Sequence, residues 1–190
     1  MSKKHHYSYN HIHTLLAGAV ASLKSVPDVL VPISGGGLIP ARILRTLLKA
    51  KFGKTVPIKV IGLQLYDDDT ETILESGVKR TQWPREHDWD PELKSVLLVD
   101  EVDDTRTTLQ YAVESLRKDF GPEVKINVFV VHDKQKEKRG TLPADVEYIA
   151  ALKVEDVWIA YPWDAIDIDE HQKIADEQRV IDAALVASPW

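Results

Sequence analysis

The chain has 190 residues, a hydrophobic fraction of 44% and a formal net charge of −6. This length favours one domain with a substantial core, and the acidic balance argues against a nucleic-acid backbone as the main ligand. Cysteine is absent, which excludes disulfides and thiol chemistry. Because the sequence has neither a long apolar run nor a signal-peptide core, we expect a cytoplasmic protein that does not bind membranes.

Predicted helices and strands alternate along the sequence. Ser8 or Asn10 is placed to cap a first helix that runs to about Lys24. The elements predicted after it are a strand at 29–33, a helix at 39–51, strands at 57–65 and 95–99, a helix at 107–119, a strand at 124–131 and a final helix at 170–185. Strands separated by helices predict an α/β fold, with a mostly parallel, twisted sheet flanked by helices.

Four loops that follow predicted strands are candidates for a ligand site, because ligands bind such sheets at the carboxyl ends of the strands. They are residues 34–38, 66–93, 101–108 and 132–138. Residues 66–93 are too long and polar for an ordinary connection, and predict a lid or a partly disordered loop anchored by Trp83. Asp67, Asp68 and Asp69 within this loop could form a metal site, but we expect them to lie on a solvated face of the loop.

The most informative stretch is 96–109, which reads Val-Leu-Leu-Val-Asp-Glu-Val-Asp-Asp-Thr-Arg-Thr-Thr-Leu. It predicts a buried strand, a short acidic and hydroxyl-rich loop, and a helix N-terminus. Asp100 and Glu101 at the strand end suit a diol or a metal. Threonine hydroxyls and free backbone N–H groups at a helix start suit a phosphate. One loop thus offers complementary sites for a phosphorylated sugar, and the alternative is an ordinary capped helix.

A glycine run, Gly35, Gly36 and Gly37, follows the first predicted strand. Consecutive glycines let backbone N–H groups approach an anion without obstruction by Cβ. The run is neither a Walker loop nor a dinucleotide fingerprint, because the residues and the spacing of both motifs are missing. The alternative is a plain turn from strand to helix.

Two further stretches contain candidate site residues. Lys134 ends the run Val-Val-His-Asp-Lys, and its place directly after a buried strand favours a site over a solvated surface charge. Residues 157–164 read Val-Trp-Ile-Ala-Tyr-Pro-Trp-Asp. Core packing is the alternative for both tryptophans, and for Trp163 we expect it.

Residues 96–109 resemble the phosphoribosyl pyrophosphate signature of type I phosphoribosyltransferases. That signature has four apolar residues, two acidic residues, two apolar residues, Asp-Thr-Gly, any residue and Thr. The chain departs from it twice, because Asp103 stands for an apolar residue and Arg106 stands for glycine. Asp-Asp-Thr-Arg-Thr-Thr is similar to the fungal hypoxanthine-guanine and xanthine branch. Trp-Ile-x-x-Pro-Trp-Asp is similar to that branch and to bacterial xanthine-guanine enzymes, and the resemblance spans Tyr7 to about Glu177.

The resemblance implies an α/β, single-domain type I phosphoribosyltransferase fold over residues 1–190. It implies a core at about 25–135, a small hood subdomain from about 1–24 and 140–190, and a flexible lid within about 66–93 that excludes water. It also implies Mg²⁺ as the cofactor and a homodimer.

The implied function is purine salvage. The enzyme would transfer 5-phosphoribosyl from phosphoribosyl pyrophosphate to a 6-oxopurine base (guanine, hypoxanthine or xanthine), giving GMP, IMP or XMP and pyrophosphate. The implied roles are catalysis by Asp104; phosphoribosyl binding by Asp100, Glu101, Thr105, Arg106, Thr107 and Thr108; pyrophosphate binding by Gly35, Gly36 and Gly37; purine binding by Lys134, Trp158 and Ile159; and metal binding by Asp100, Glu101 and Asp164.

Two departures from the family bear on these roles. Gly35 stands where the family commonly has a Lys or Arg, so the pyrophosphate contact is expected to come from the backbone alone. If Arg106 takes a positive φ, the strain is on the order of 1 kcal/mol, which a charged contact of its side chain can offset.

Two other classes of function stay open. A non-catalytic, nucleotide-sensing regulatory protein on the same fold would need the phosphate loop alone, so the joint presence of Asp104, Lys134 and Trp158 favours an enzyme. A phosphohydrolase with Asp100 as nucleophile would need Asp-x-Asp, and Glu101-Val102 breaks that spacing.

Overall fold

The computed structural model describes residues 4–65 and 77–187. The helices are α1 (Tyr9–Ser22), α2 (Leu38–Phe52), α3 (Thr107–Phe120) and α4 (Ile168–Ala187). The strands are β1 (Lys4–His6), β2 (Val29–Pro32), β3 (Gly62–Gln64), β4 (Lys79–Gln82), β5 (Ser95–Asp103), β6 (Lys125–Lys134), β7 (Tyr148–Val154) and β8 (Trp158–Ala160).

The main sheet is parallel throughout, in the order β2-β5-β6-β7. Residues 57–61 run along the other edge of β2, through bridges from Leu30 to Ile58 and from Ile33 to Ile61. The chain thus passes to one side of β2 and then returns to its other side as β5. This reversal places a crevice between the carboxyl ends of β2 and β5, where sheets of this kind bind ligands.

Both faces of the sheet are buried. On one face, residues such as Leu97, Val99 and Phe129 pack with the apolar sides of α1 and α2. On the other face, Leu98 and Val130 belong to the cluster that includes the apolar side of α3. Strands covered on both faces read as continuous apolar runs, which explains why the β5 and β6 sequences lack alternation.

The predicted α/β fold with a mostly parallel sheet is confirmed, and several of its elements differ in extent. Strands β5 and β6 continue to Asp103 and Lys134, beyond the predicted ends. The single strand predicted at 57–65 is divided instead. Its second part, β3, turns away to pair antiparallel with β4, and the register shifts at Gly62. A Cβ at Gly62 would collide with Gln82, so the close approach of β4 requires glycine there.

Part of the predicted lid, including Asp67, Asp68 and Asp69, lies outside the described residues. Its described remainder contains β4 and a short 3₁₀ helix at Glu86–Asp88. Trp83 anchors this segment as expected, because its Nε1 donates a hydrogen bond to Asp119 Oδ2 at 2.6 Å and its ring packs against the α3 side of the core. The role of residues 66–93 as a lid stays a prediction.

The two chain ends meet beside the main sheet. Strand β1 pairs in parallel with β8, and α4 packs on β1. His171 of α4 lies 3.0 Å from the Tyr7 carbonyl oxygen. These contacts hold β8 and the 3₁₀ helix Pro162–Asp164 close to the end of β6; the hood boundaries at 1–24 and 140–190 stay a prediction. Among the described residues, no helix has the length and apolarity to cross a membrane.

Candidate functional site

A cavity of about 640 Å³ lies at the carboxyl ends of β5 and β6. Eleven predicted site residues line it together: Asp100, Glu101, Asp104, Thr105, Arg106, Thr107, Thr108, Lys134, Trp158, Ile159 and Asp164. The lining also includes Leu65, Val102, Asp103, Leu109 and Tyr161. One cavity therefore joins two strand-end loops with the β8 segment.

The N-terminus of α3 forms one wall of this cavity. Arg106 is the N-cap residue, and its side chain makes no capping hydrogen bond. The N–H groups of Thr107, Thr108 and Leu109 therefore have no intrahelical partner. The hydroxyls of Thr105 and Thr107 lie beside them, 3.2 Å apart. An uncapped helix start with hydroxyl donors is suited to bind a phosphate.

Arg106 is the one non-glycine residue with a positive φ (68°) among those that the structure describes. Its Nε and Nη2 both donate to Asp103 Oδ2, at 2.8 and 2.7 Å. The Asp103 side chain is fully buried, and the guanidinium lies 4.7 Å from the centre of the Tyr148 ring. The two departures from the family signature thus contact each other, and the contact offsets a strain of about 1 kcal/mol.

Lys138 connects the loop after β5 to the end of β6. Its Nζ donates to the carbonyl oxygens of Asp103, Asp104 and Lys134 at 2.7, 3.0 and 2.8 Å. The same ammonium lies 2.9 Å from a carboxylate oxygen of Asp133. Since all four partners belong to the ends of β5 and β6, Lys138 fixes those two ends relative to each other.

Three carboxyl groups concentrate negative charge in the cavity. Burial, and then the charge of Glu101, raise the pKa of Asp100 well above its usual range. Burial and the charge of Glu101 also raise the pKa of Asp164. Such raised values mark a site that a cation would stabilise. Across residues 4–65 and 77–187, no three or more His, Cys, Asp or Glu groups form a ready-made metal site.

The glycine loop lies next to this acidic group, outside the cavity lining. The Glu101 carboxylate fills the space that a Cβ at Gly36 would need, and the carbonyl oxygens of Val99 and Ile33 do the same at Gly37. Gly35 has a φ of 93°. Helix α2 begins directly after Gly37 and has no side-chain cap. A second uncapped helix start therefore lies on the β2 side of the crevice.

Asp104 and Lys134 lie opposite each other at the ends of β5 and β6. Lys134 Nζ is 3.4 Å from Asp104 Oδ1, and its side chain is 15% exposed. Lys136 Nζ is 3.1 Å from the same oxygen, and both lysines also contact Asp156. Burial alone would raise the pKa of Asp104, but the hydrogen bond from Lys136 and the charge of Lys134 lower it. Asp104 is therefore an ionised carboxylate at neutral pH.

The β8 segment supplies an aromatic and apolar wall. Trp158 is 57% exposed although it is large and apolar, whereas Ile159 is buried. Trp163 packs against the core as expected, and its ring stacks on Tyr161 at 4.5 Å. Of the two tryptophans, Trp158 thus has a free face beside the cavity.

Behind this wall, a buried hydrogen-bond chain joins β6 to the acidic loop. Tyr161 Oη donates to the Glu101 carbonyl oxygen at 3.0 Å and lies 2.9 Å from His132 Nδ1. Since the tyrosine proton is used for the carbonyl, His132 must donate from Nδ1. His132 is therefore in its neutral Nδ1–H form, and its buried Nε2 has no hydrogen-bond partner among the described residues.

We expect His132 to make the fold sensitive to acid. Burial lowers the pKa of His132 from 6.5 to about 3. The folded state therefore binds fewer protons than the unfolded state, and stability present above pH 6.5 is lost as the pH falls toward 3. At pH 5 the loss from this residue is about 2 kcal/mol.

Urea unfolding of the wild type and His132→Phe at pH 7.5 and pH 5.0 measures this effect. The variant should lose less free energy of unfolding between the two pH values. Equal losses in both proteins would contradict a role for His132.

Sequence reasoning missed Lys136, Lys138 and Tyr161. The two lysines belong to a charged run, 134–138, in which nothing in the sequence marks the residues that turn inward. Tyr161 had a usable signal, because it lies inside the Trp-Ile-x-x-Pro-Trp-Asp stretch that was singled out.

Comparison with known proteins agrees with this geometry. The phosphoribosyl transferase domain family matches residues 3–165. Xanthine phosphoribosyltransferase 1 of Saccharomyces cerevisiae is 43% identical, over 93% of this chain and 97% of the relative. The hypoxanthine-guanine phosphoribosyltransferase of the same yeast is 44% identical, over 92% of each chain. A Neisseria gonorrhoeae protein solved with bound ppGpp has a TM-score of 0.77 and 36% identity, over 94% of this chain and 98% of that one. The chain therefore belongs to the phosphoribosyltransferase family and has the type I phosphoribosyltransferase fold.

Proposed function

We propose that this chain is a purine salvage enzyme that transfers 5-phosphoribosyl from phosphoribosyl pyrophosphate to guanine, hypoxanthine or xanthine. The observation that carries the proposal is that one cavity is lined by three features. They are the N-terminus of α3, which is suited to bind a phosphate, the acidic pair Asp100 and Glu101, and a wall with Lys134 and Trp158 that is suited to bind a purine base. Its relatives of 43–44% identity are named for the same transfer to xanthine, hypoxanthine and guanine.

The phosphoribosyl end is assigned to the loop after β5. The N–H groups at the start of α3 and the hydroxyls of Thr105, Thr107 and Thr108 suit the 5′-phosphate, and Arg106 contributes its backbone because Asp103 holds its side chain. Asp100 and Glu101 are assigned to the ribose diol. The phosphohydrolase alternative is disfavoured because Glu101-Val102 follows Asp100 where an Asp-x-Asp motif would be needed.

We assign the pyrophosphate to the loop Gly35, Gly36 and Gly37 and to the start of α2. Backbone N–H groups are its donors, because no basic side chain belongs to the loop. The position beside Glu101 would bring the leaving group next to the acidic cluster.

Mg²⁺ fits this cluster electrostatically, because burial and the charge of Glu101 raise the pKa values of Asp100 and Asp164, and a cation would stabilise the ionised carboxylates. Asp100, Glu101 and Asp164 would hold it together with substrate oxygens. When bound, the ion would neutralise charge on the leaving pyrophosphate.

The purine end is assigned to Lys134, Trp158 and Ile159. The exposed face of Trp158 offers a stacking surface for a purine ring. Lys134 lines the same cavity as Trp158, and its ammonium group can only donate hydrogen bonds. Ile159 offers its backbone to the ring edge, as the family resemblance implies.

In the reaction, the bond between the anomeric carbon and the pyrophosphate oxygen breaks, and its electron pair leaves with pyrophosphate. An imidazole nitrogen of the base forms the new bond to that carbon, and the proton that the ring loses passes to solvent water. A carboxylate whose pKa is lowered is a weak proton acceptor. We therefore assign to Asp104 the stabilisation of positive charge on the imidazole ring.

Incubation with phosphoribosyl pyrophosphate and each of the three 6-oxopurines tests the proposal directly. The expected result is equal amounts of nucleoside 5′-monophosphate and pyrophosphate, dependent on Mg²⁺. Nucleotide binding without turnover of any base would indicate the regulatory alternative. Hydrolysis of a phosphomonoester without phosphoribosyl pyrophosphate would indicate a phosphohydrolase.

Thr108→Val tests the phosphate assignment, because it keeps the shape of the side chain and removes a hydroxyl donor. A hydrogen bond to a charged group contributes about 1.5–3 kcal/mol, so GMP affinity should fall roughly 10- to 150-fold. Calorimetry measures the dissociation constant. The control is Thr14→Val, a change at an exposed position of α1 where the hydroxyl donates to the Asn10 carbonyl oxygen. This variant should bind GMP normally. Unchanged affinity in Thr108→Val would remove this hydroxyl from the phosphate site.

The homodimer and the cytoplasmic location are likewise proposals, which rest on the family resemblance. Light scattering of the purified protein tests the first.

A further inference from the structure

The Asp103 carboxylate is the centre of a buried polar cluster beneath the phosphate loop. Its Oδ2 accepts hydrogen bonds from Arg106 Nε and Nη2 and from the Tyr148 hydroxyl at 2.8 Å. Its Oδ1 lies 3.6 Å from Lys138 Nζ. A fully buried carboxylate needs such partners, because its charge is otherwise unfavourable away from water.

The backbone of Arg106 has a conformation that glycine adopts readily and arginine rarely does. In the family signature this position is glycine and position 103 is apolar. Here both residues differ, and each is the principal partner of the other. A side chain anchored on a buried carboxylate holds Arg106 in this conformation, whereas glycine would leave the loop free to adopt several.

We infer that the Asp103–Arg106 ion pair positions the phosphate loop, holding its N–H groups and hydroxyls in the binding arrangement before the ligand arrives. This inference rests on the proposed function, in which residues 105–108 bind the 5′-phosphate. Asp103 and Arg106 are positioning residues through their side chains, and the ligand contacts the backbone and the threonines.

The geometry of the loop supports this role. Arg106 stands between Thr105 and Thr107, whose hydroxyls meet at 3.2 Å. The Thr105 carbonyl oxygen accepts from the N–H groups of Arg139 and Gly140, both at 3.0 Å. A rotation at Arg106 would separate the two hydroxyls and redirect the first N–H groups of α3. A loop that is already ordered does not lose conformational entropy when the ligand binds, so the ligand binds more tightly.

The experiment compares the dissociation constant of GMP, the Michaelis constant of phosphoribosyl pyrophosphate and the melting temperature among variants. The variants are Arg106→Gly, Asp103→Val and the double variant, which restores the usual family residues. Asp145→Val is the matched control, because Asp145 pairs with Arg117 near the other end of α3 and is exposed. It should match wild type in nucleotide binding.

We expect Asp103→Val to weaken GMP binding by about tenfold or more, because Arg106 keeps its strained backbone without its anchor. Arg106→Gly should weaken binding about three- to tenfold. The double variant should bind GMP more tightly than Asp103→Val. In each weakened variant, the Michaelis constant should rise while kcat stays within about threefold, because the phosphate is held equally in the ground and transition states.

Several results would overturn the inference. One is a fall in kcat and melting temperature with an unchanged Michaelis constant, which indicates a merely structural pair. Another is tighter GMP binding in Asp103→Asn, which would mean that the released Arg106 side chain contacts the phosphate itself. If Asp103→Val does not fold, unchanged GMP affinity in Arg106→Gly decides against the pair. Failure of the wild type to bind GMP would instead count against the proposed function.

Discussion

Replacing Asp104 with asparagine should lower kcat by roughly 10²–10³-fold, with the Michaelis constant of phosphoribosyl pyrophosphate within about threefold of wild type. Asparagine keeps the size of the side chain and removes its charge. Asp104 lines the cavity and lies 3.4 Å from Lys134, which we assign to the base, and it has no assigned contact with the phosphate. The loss should therefore fall on the chemical step.

The charge matters because positive charge develops on the reacting imidazole and sugar. Lys134 and Lys136 keep Asp104 ionised, since they lower its pKa despite its burial. A fixed carboxylate beside developing positive charge stabilises the transition state without reorganising at the moment of reaction.

Asp156→Asn is the matched control for Asp104→Asn. Asp156 contacts the same two lysines, at 3.9 and 3.1 Å, but does not line the cavity. Its kcat should stay within about twofold of wild type. Equal losses in the two variants would mean that the ion-pair network, and not the position of Asp104, supports activity. A kcat of Asp104→Asn close to wild type would remove Asp104 from catalysis.

The strand, loop and helix that build the phosphate end were predictable from local sequence. A continuous apolar run such as 96–99 indicates a strand that is buried on both faces of a parallel sheet. The periodic apolar positions Leu109, Ala112, Val113 and Leu116 indicate which side of α3 is buried. The glycine run at 35–37 was recognisable from sequence, but the need for Gly36 and Gly37 is not local, because a Cβ there would meet the Glu101 carboxylate and the Val99 carbonyl oxygen.

What the sequence did not reveal depends on contacts between distant residues. Strand β7 is half-buried at the edge of the main sheet, and its position there depends on parallel pairing with the distant strand β6. The direction of the Arg106 side chain depends on Asp103 and also on Tyr148, which is 42 positions away. Lys136 and Lys138 face inward only because β6 ends beside the loop after β5.

The purine specificity should depend on Lys134. A 6-oxopurine presents an acceptor at position 6, whereas adenine presents an amino donor. An ammonium group only donates, so it binds the oxo group and opposes the amino group. With its side chain 15% exposed, Lys134 has little water to compensate for that mismatch. We expect the wild type to favour guanine over adenine in kcat/KM on the order of 10³-fold or more.

Lys134→Gln should lower kcat/KM for guanine about 10- to 100-fold and narrow the guanine-to-adenine ratio at least about tenfold. The glutamine amide can present either its oxygen or its nitrogen, so adenine no longer meets a donor-only group. Lys136→Gln is the control, because Lys136 shares the partners Asp104 and Asp156 but does not line the cavity. It should leave the ratio unchanged even if it alters the rate through Asp104. A wild type that prefers adenine, or equal ratios in wild type and Lys134→Gln, would mean that the purine contacts a different group and that Lys134 serves only its ion pairs.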